Sequence, residues 1–599
     1  MSAIEVDLRL RSPHWSRVTT SVDTVNDGNG LWVRADHDCS DPTDPEVLVS
    51  HPGRLTAIQI DEDEVVLAQD RLRSWPLFWS LEDGLSGTQR LVVSDDATLM
   101  REAVSTPRLD ARARREFLDA GFVTGSDTLL AGIHQTEQGT VVRIDRATGR
   151  ARTINHSVAR FCEGTDTVVD PEDFSGLLCE ALDVVLGRVL AEMDRRAGTP
   201  RLVVPLSGGL DSRLLVAWLT LHDALDRTVA FTYGRPGARE VEISRKVAQA
   251  VGLEWHAVDY DPAALREAWQ TQEAADFLKD GYTLGALPHI QDWWALRTLL
   301  ARGTVRPGDI VLPGHTIVGN MHDEQLLDGP PATRGQVAKA IITHHQGLQG
   351  EQNQAWADPY RTRKVKEFLA LRPFTGSPRD VQSILESYNV RERQTKYINN
   401  SVRAYEHLGL EWALPMLDVE FWDAWHRGAV ELTATRDFYA VFIGRLWAQA
   451  TARASGQEQT SQADLAYFTP TQVNETTRSR LKAVLSRLHT VITRNIERGF
   501  SVEVGELGNF RPTFGSAEVL DPKDFDITKH VRSPKITFRP RPVFAQSLRA
   551  NIGFERVELS KSKDKGKGSK KPNSTKPSTE QGTGEHSGSP SAGDGHLGI

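Results

Sequence analysis

The sequence is short of several features that would assign its class at once. It holds three cysteines in 599 residues, Cys39, Cys162 and Cys179, far apart and with no Cys-x-x-Cys pair. That argues against a disulfide framework or a zinc knuckle. No run approaches the roughly 18 consecutive apolar residues of a membrane span. The opening MSAIEVDLRLRSPHW carries acids and arginines where a secretory signal needs an apolar stretch. A basic surplus is missing too: 71 Lys+Arg stand against 80 Asp+Glu, a formal charge of −9. Clamping nucleic acid as a main task needs a clear Lys/Arg excess to neutralise phosphates, so no nucleic-acid partner is expected. What is present is length enough for two to four domains and 39% hydrophobic residues to build their cores. The expectation is a soluble, cytoplasmic, multidomain enzyme with no membrane partner.

The first 150 residues read as β-rich. LTAIQI (55–60), EVVLAQD (64–70), PLFWS (76–80), RLVVSDD (90–96) and TVVRID (140–145) are short β-branched or aromatic runs divided by turns. One amphipathic helix, LDARARREFLDAGF (109–122), interrupts them. From about 170 the apolar period changes to helical in FSGLLCEALDVVLGRVLAEM. Between 201 and 315 strands and helices alternate. RLVVPL (201–206) is a continuous apolar run, as a strand buried on both faces requires. TVAFTY (228–233), WHAVDY (255–260) and DIVLPG (309–314) follow with helices between them. That order predicts a parallel sheet wound by helices, with ligands at the carboxyl ends of its strands. Residues 330–455 read as mostly helical, and 456–550 as Arg-rich with little periodicity. The Lys/Ser/Gly/Pro-rich tail cannot bury enough apolar area to fold and is expected to be disordered.

The strongest signal is Ser207-Gly208-Gly209-Leu210-Asp211-Ser212, between the buried strand and a helix. Two glycines let the backbone turn tightly and bring its N–H groups close to an anion. The helix that starts there favours phosphate at its positive end. Ser207 and Ser212 add hydroxyl donors, and Asp211 can hold a magnesium ion on phosphate oxygens. An ordinary strand-to-helix turn with a capping Asp or Ser is the bland alternative. The loop is not the lysine-bearing P-loop, because no Lys follows the glycines.

This hexapeptide resembles the pyrophosphate loop of the N-type ATP pyrophosphatases, and the chain over about 50–450 is similar to the asparagine synthetase family. LAQDRLRSWPLFWS (67–80), LVVSDDATLM (91–100) and FLDAGFVTGSDTLLAGIHQTEQGTVVRID (117–145) resemble its glutaminase domain. AFTYGRPGAREVEISRKVAQAVGLEWHAVDY (230–260) and NNSVRAYEHLGLEWALPMLD (399–418) resemble its synthetase domain. The resemblance implies an Ntn-hydrolase-like, class II glutaminase-like domain over 1–165, joined to an α/β ATP-pyrophosphatase domain over 170–455. An extension of the latter would run over 456–558, and the disordered tail over 559–599. It also implies ATP and Mg²⁺, a small-molecule carboxylate substrate activated as an acyl-adenylate, and an amine or ammonia as acceptor. A homodimer is compatible with it. Ser207, Gly208, Gly209, Asp211 and Ser212 would hold pyrophosphate and the metal. Leu206 and Tyr233 would border the adenine, and Pro313 and Gly314 the ribose.

Two departures qualify what the resemblance implies. Glutamine-hydrolysing members expose a cysteine after removal of the initiator methionine, and here position 2 is Ser2. The glutaminase half is therefore expected to be inactive. The family's "SGEGADE" loop reads Pro313-Gly314-His315-Thr316-Ile317-Val318-Gly319, with His315 at the place of a catalytic glutamate and Val318 at that of a metal-binding aspartate. An imidazole can act as a base, but valine cannot bind metal. Asp323 and Glu324 follow closely. The family's catalytic lysine has no matching context beyond residue 430. These departures point towards relatives that make a β-lactam or cyclise a lasso peptide, or towards a non-catalytic nucleotide-binding scaffold. Arg393, Lys396, Asn400 and Arg403 recur at helical spacing, either as a stripe that neutralises pyrophosphate or a carboxylate substrate or, the favoured reading, as a solvated face paired with Glu386, Glu392 and Glu406.

Overall fold

In the computed structural model, the described residues are 4–18, 29–83, 89–286, 290–319, 323–327, 330–348, 359–370, 373–456, 502–504, 508–516 and 531–540. They fall into two compact units, Met1–Ala466 and Tyr467–Ile599. Among them no helix is long and apolar enough to cross a membrane.

The first unit opens with two sheets. One contains β1 (Glu5–Arg9), β7 (Gln89–Ser94), β6 (Phe78–Asp83) and β8 (His134–Gln135), in that spatial order. The other runs β10 (Ala151–Asn155), β9 (Thr140–Asp145), β5 (Glu64–Gln69), β4 (Leu55–Ile60), β3 (Gly30–Ala35) and β2 (Ser16–Val18). Alternation along β4, β5 and β9 explains why they sit centrally. Ile58, Ile60, Val65, Leu67, Val142 and Ile144 pack with Leu91 and Val93 of the facing sheet. Their neighbours Leu55, Ala57, Val66, Ala68 and Val141 form a second apolar layer with Leu48. Both faces of this sheet are thus apolar, and each fully buried Ile or Leu contributes about 1.5–3 kcal/mol. The helix read at 109–122 spans Ala111–Ala120, capped by Asp110 and ended by Gly121 at φ 82°.

The helix Pro171–Arg195 leads into an all-parallel sheet. Its order is β13 (Trp255–Asp259), β12 (Thr228–Gly234), β11 (Leu202–Pro205), β14 (Ile310–Val311), β15 (Glu411–Trp412). Every neighbouring pair is parallel, as the alternating pattern predicted. The chain starts in the middle with β11, builds outward to β13, and returns to β14 on the other side. The order reverses between β11 and β14, and a doubly wound sheet opens a crevice at such a point. The two halves of this unit join by backbone pairing: Val123 N–H donates to Gly285 O at 2.6 Å and Leu129 N–H to Leu284 O at 2.7 Å.

The segment carrying the expected solvated face differs from its reading. Residues Asn389–Ile398 form a π-helix, Asn399–Ser401 a 3-10 turn and Val402–His407 an α-helix. Changing helix type rotates the stripe, and Lys396, Asn400 and Arg403 are buried or nearly so rather than solvated. Two of the expected acids do pair, Glu392 with Lys396 and Glu406 with Arg403. The third, Glu386, instead accepts from His426.

The second unit contains an antiparallel sheet of β16 (Val502–Val504), β17 (Gly508–Ser516) and β18 (Val531–Pro540), with a register shift between Thr513 and Gly515. The extension expected over 456–558 straddles the division between the units. The tail over 559–599 and Ser2 lie outside the described residues.

Candidate active site

The Ser207–Ser212 loop leaves the end of β11 at the point where the strand order reverses. Leu206 continues the pairing, its N–H donating to Phe231 O at 2.8 Å, while Thr232 and Ser244 hydroxyls hold its carbonyl. The turn is closed from within. Ser207 N–H donates to Ser212 Oγ at 3.1 Å, the two hydroxyls lie 3.2 Å apart, and Gly209 N–H donates to Ser207 Oγ at 3.2 Å. Gly208 and Gly209 have little room for a side chain: a Cβ would sit 3.2 Å from Ile243 and 3.1 Å from Ser207 Oγ respectively. The helix Asp211–Leu221 begins with Leu210 as its cap residue and no side-chain capping bond. Its first amide groups therefore lack the partner that a capping side chain supplies to an ordinary helix start.

Gly314 closes on this loop from the end of β14, where a Cβ would lie 3.1 Å from Ser212 N and 3.2 Å from Asp211 Cβ. Only glycine brings the two loops this near. Ser207, Gly208, Gly209, Asp211, Ser212 and Gly314 thus form one constellation, with Pro313 buried beside it. Gly209 is exposed and Ser207 half-buried, so solvent reaches the cup. His315, also half-buried, lies with Nε2 3.4 Å from Ser401 Oγ.

Tyr233 does not turn its phenol to the loop. It donates to Asp292 Oδ1 at 2.6 Å and stacks on Tyr260 at 4.7 Å, while Tyr405 donates to Asp292 Oδ2 at 2.5 Å. Burial, reinforced by Asp292, pushes the Tyr233 hydroxyl well above its ordinary range. Its half-buried side chain packs against the core, leaving the backbone at the end of β12 as its contribution to the crevice.

Sequence reading missed Arg436. Its Nη2 lies 2.6 Å from Asp211 Oδ1, across 225 residues of chain. It rests on Gly319, at φ 81°, where a Cβ would come within 2.6 Å of Arg436 Cδ. The fully buried Tyr439 phenol is pushed well above its ordinary range by burial and then by Asp211. No lysine occurs between 430 and 456, so the cation that this region brings to the loop is a guanidinium.

Among the described residues no group of three or more His, Cys, Asp or Glu is placed to hold a metal. Val318, where the resemblance implies an aspartate, is buried in the apolar core at 3% exposure. Asp211 is thus the carboxylate this loop presents. One carboxylate fits a magnesium ion that arrives on phosphates and keeps much of its water, rather than a protein-built cage.

Two family models match parts of the chain. One, described as asparagine synthase, covers residues 193–306 and so includes the loop and β11 to β13. The other, described as an HU domain fused to wHTH, Ig, or Glycine-rich motif, covers 451–556. The 7-cyano-7-deazaguanine synthase of two Bacteroides fragilis strains is 39% identical over 57 residues, which is 10% of this chain. The chain spans 26% of the length of these curated relatives. Among solved structures, an NH3-dependent NAD synthetase from Campylobacter jejuni is similar at 13% identity, covering 33% of this chain and 93% of that one, with a TM-score of 0.18. An NMN synthetase from Francisella tularensis gives 14%, 37%, 94% and 0.18 in the same order. The U34-tRNA thiolase NcsA from Methanococcus maripaludis gives 15%, 40%, 78% and 0.18.

Proposed function

We propose that this chain is an ATP-dependent ligase that activates a small carboxylate with release of pyrophosphate and passes the acyl group to an amine or ammonia. The observation that carries the reading is the Ser207–Ser212 loop at the strand reversal, with an uncapped helix start behind it and Gly314 closed against it. A carboxylate is a poor electrophile, and the protein's task is to hold the phosphates and stabilise charge as pyrophosphate leaves. The Gly208 amide, the Leu210–Ser212 amides and the Ser207 and Ser212 hydroxyls supply donors. Arg436 supplies a positive charge that exchanges Asp211 for a phosphate oxygen when nucleotide binds. Mg²⁺, held by Asp211 on the phosphates, would neutralise the leaving oxygens. Leu206 and the Tyr233 backbone border the base, Pro313 and Gly314 the ribose, and His315 serves as the base for the incoming amine.

The two-sheet sandwich with Asp70 at a buried turn supports reading the first 165 residues as glutaminase-like. Asp70, in the LAQDRLRSWPLFWS segment, accepts from Leu55, Leu72 and Ser74 N–H groups at 2.7–3.0 Å and fixes that turn. With Ser2 at the position of the nucleophilic cysteine, we propose that this half is inactive and that the acceptor is ammonia or an amine on the substrate. Aspartate is the acyl substrate by resemblance. Val318 in the core favours a relative acting on a specialised carboxylate, such as a β-lactam or lasso-peptide precursor.

The test is pyrophosphate release with ATP, Mg²⁺ and aspartate or a carboxylate panel, with glutamine or ammonium as donor. Carboxylate-dependent release that falls about 10²–10³-fold in Asp211→Asn is expected. ATP binding without turnover on any carboxylate would leave a nucleotide-binding scaffold. Glutaminase activity abolished by Ser2→Ala would overturn the inactive first half.

A further inference from the structure

A sizeable cavity lies away from this crevice. A cleft of about 580 Å³ lies along edge strand β15, where the strand sandwich meets the parallel-sheet half, and shares no residue with the Ser207–Ser212 loop. Its size falls within the range of small-molecule sites. Its wall is rich in charge, and nearly all of that charge is paired. Arg54 is held by Asp36 at 2.8 Å and Glu411 at 3.2 Å, between the rings of Trp75 and Trp412. Glu406 Oε1 accepts from the Trp75 and Trp412 indoles at 2.9 and 3.0 Å, and its Oε2 lies 2.6 Å from Arg403. Arg188 pairs with Asp418 and Glu420, and Arg196 with Glu192.

Arg34 is paired most loosely. Strand β3 carries it to the seam, where its guanidinium lies 4.0 Å over the Trp75 ring. Its nearest carboxylate oxygen is Glu406 Oε1 at 4.0 Å, beyond hydrogen-bond range and already accepting twice. It donates no hydrogen bond to the described residues, although its side chain is only 16% exposed. Arg34 lines this cleft and a neighbouring one beside Arg11 and His14, and its guanidinium has N–H donors that no protein acceptor takes, so an oxyanion arriving here meets a largely dehydrated cation. Burial, with Arg403 and Arg54 nearby, holds its pKa down to about 10 against the pull of Glu406.

We infer that this cleft binds a small ligand through a carboxylate or phosphate oxyanion, received bidentately by Arg34 on the face of Trp75. A planar fork over an indole matches two oxygens of one oxyanion, which a lysine at this position would not. The site is separate from the proposed nucleotide crevice, so ligand here is a second substrate group or an effector.

The full chain is melted with inorganic phosphate or succinate, each against sodium chloride of equal ionic strength. One of the two anions is expected to raise the midpoint above the chloride control, which also tells phosphate from carboxylate. Arg34→Gln should abolish that rise and leave ATP binding unchanged. Arg34→Lys keeps the charge without the fork and should weaken the response at least about fivefold, in the range of one lost charge-assisted hydrogen bond. Asp211→Asn should leave the anion response intact, so failure of the ligase reading and failure of this one are distinguishable. Should neither anion act, or should the Arg34 variants respond as the parent does, the proposal fails.

Discussion

Two ion pairs in this chain share one distance and differ in nearly everything else. Lys396 Nζ lies 2.6 Å from Glu392 Oε2, with side chains 0% and 4% exposed. Arg436 lies 2.6 Å from Asp211, with side chains 42% and 21% exposed. The buried pair is completed by backbone: Lys396 also donates to Val123 O at 3.1 Å and Gly125 O at 2.7 Å, and Glu392 accepts from Gly125 N–H at 3.0 Å. It fastens the π-helical segment to the loop of the strand sandwich. The Arg436 pair is partly solvated at the mouth of the proposed crevice, where an incoming phosphate takes the place of Asp211 against the guanidinium. Contact distance does not separate a fastening from a latch; burial and the remaining hydrogen bonds do.

The comparison is tested hardest at Lys396. Lys396→Met leaves the Glu392 carboxylate buried without its main counter-charge, and leaves the Val123 and Gly125 carbonyls only long contacts from Gln135 Nε2 at 3.5 and 3.4 Å. A loss of about 3–5 kcal/mol in urea unfolding is expected. Replacing both members, Lys396→Met with Glu392→Leu, should recover much of it, because the stranded charge is gone. A single variant within about 1 kcal/mol of the parent would show the pair to be no fastening at all.

A smaller effect should appear with pH. Burial, followed by the charges of Arg73 and Arg391, pushes Lys396 down to about 8 from 10.5, against the pull of Glu392. Between those values the unfolded chain holds a proton that the folded chain has released. Stability from this group therefore rises as pH climbs from about 8 towards 10.5. The difference in unfolding free energy between parent and Lys396→Met isolates it, and should shift in the parent's favour through that window. A flat difference would mean that Lys396 keeps its ordinary affinity for protons.

The sequence conveyed local order well and long-range partnership poorly. The apolar run before Ser207, the glycines and the helix after Asp211 are all within a dozen residues, and the parallel sheet followed from strand–helix alternation. The helix ends came within a few residues because Asp110 and Gly121 are local signals. Arg436 had no such signal, since its meeting with Asp211 depends on the whole sheet being built. The stripe at 393–403 misled for a different reason. Spacings of three and four assume an α-helix, and a π turn moves the same residues inward. A buried lysine looks like a solvated one until the loop that covers it, here Val123–Gly125, is in place.

The smallest stability effect is expected at the latch. Arg436→Ala removes a pair that is partly solvated on both sides, and such pairs contribute about 0–1 kcal/mol. Its urea midpoint should lie close to the parent's, unlike that of Lys396→Met. Nucleotide binding should respond the other way. If Arg436 exchanges Asp211 for phosphate, Arg436→Ala should weaken ATP binding about tenfold while weakening adenosine binding little, as measured by calorimetry. Arg436→Lys should keep part of that affinity, because the charge remains and the fork is lost. Equal ATP affinity in parent and Arg436→Ala would mean that the guanidinium merely caps Asp211. The two ion pairs would then differ in burial but not in purpose.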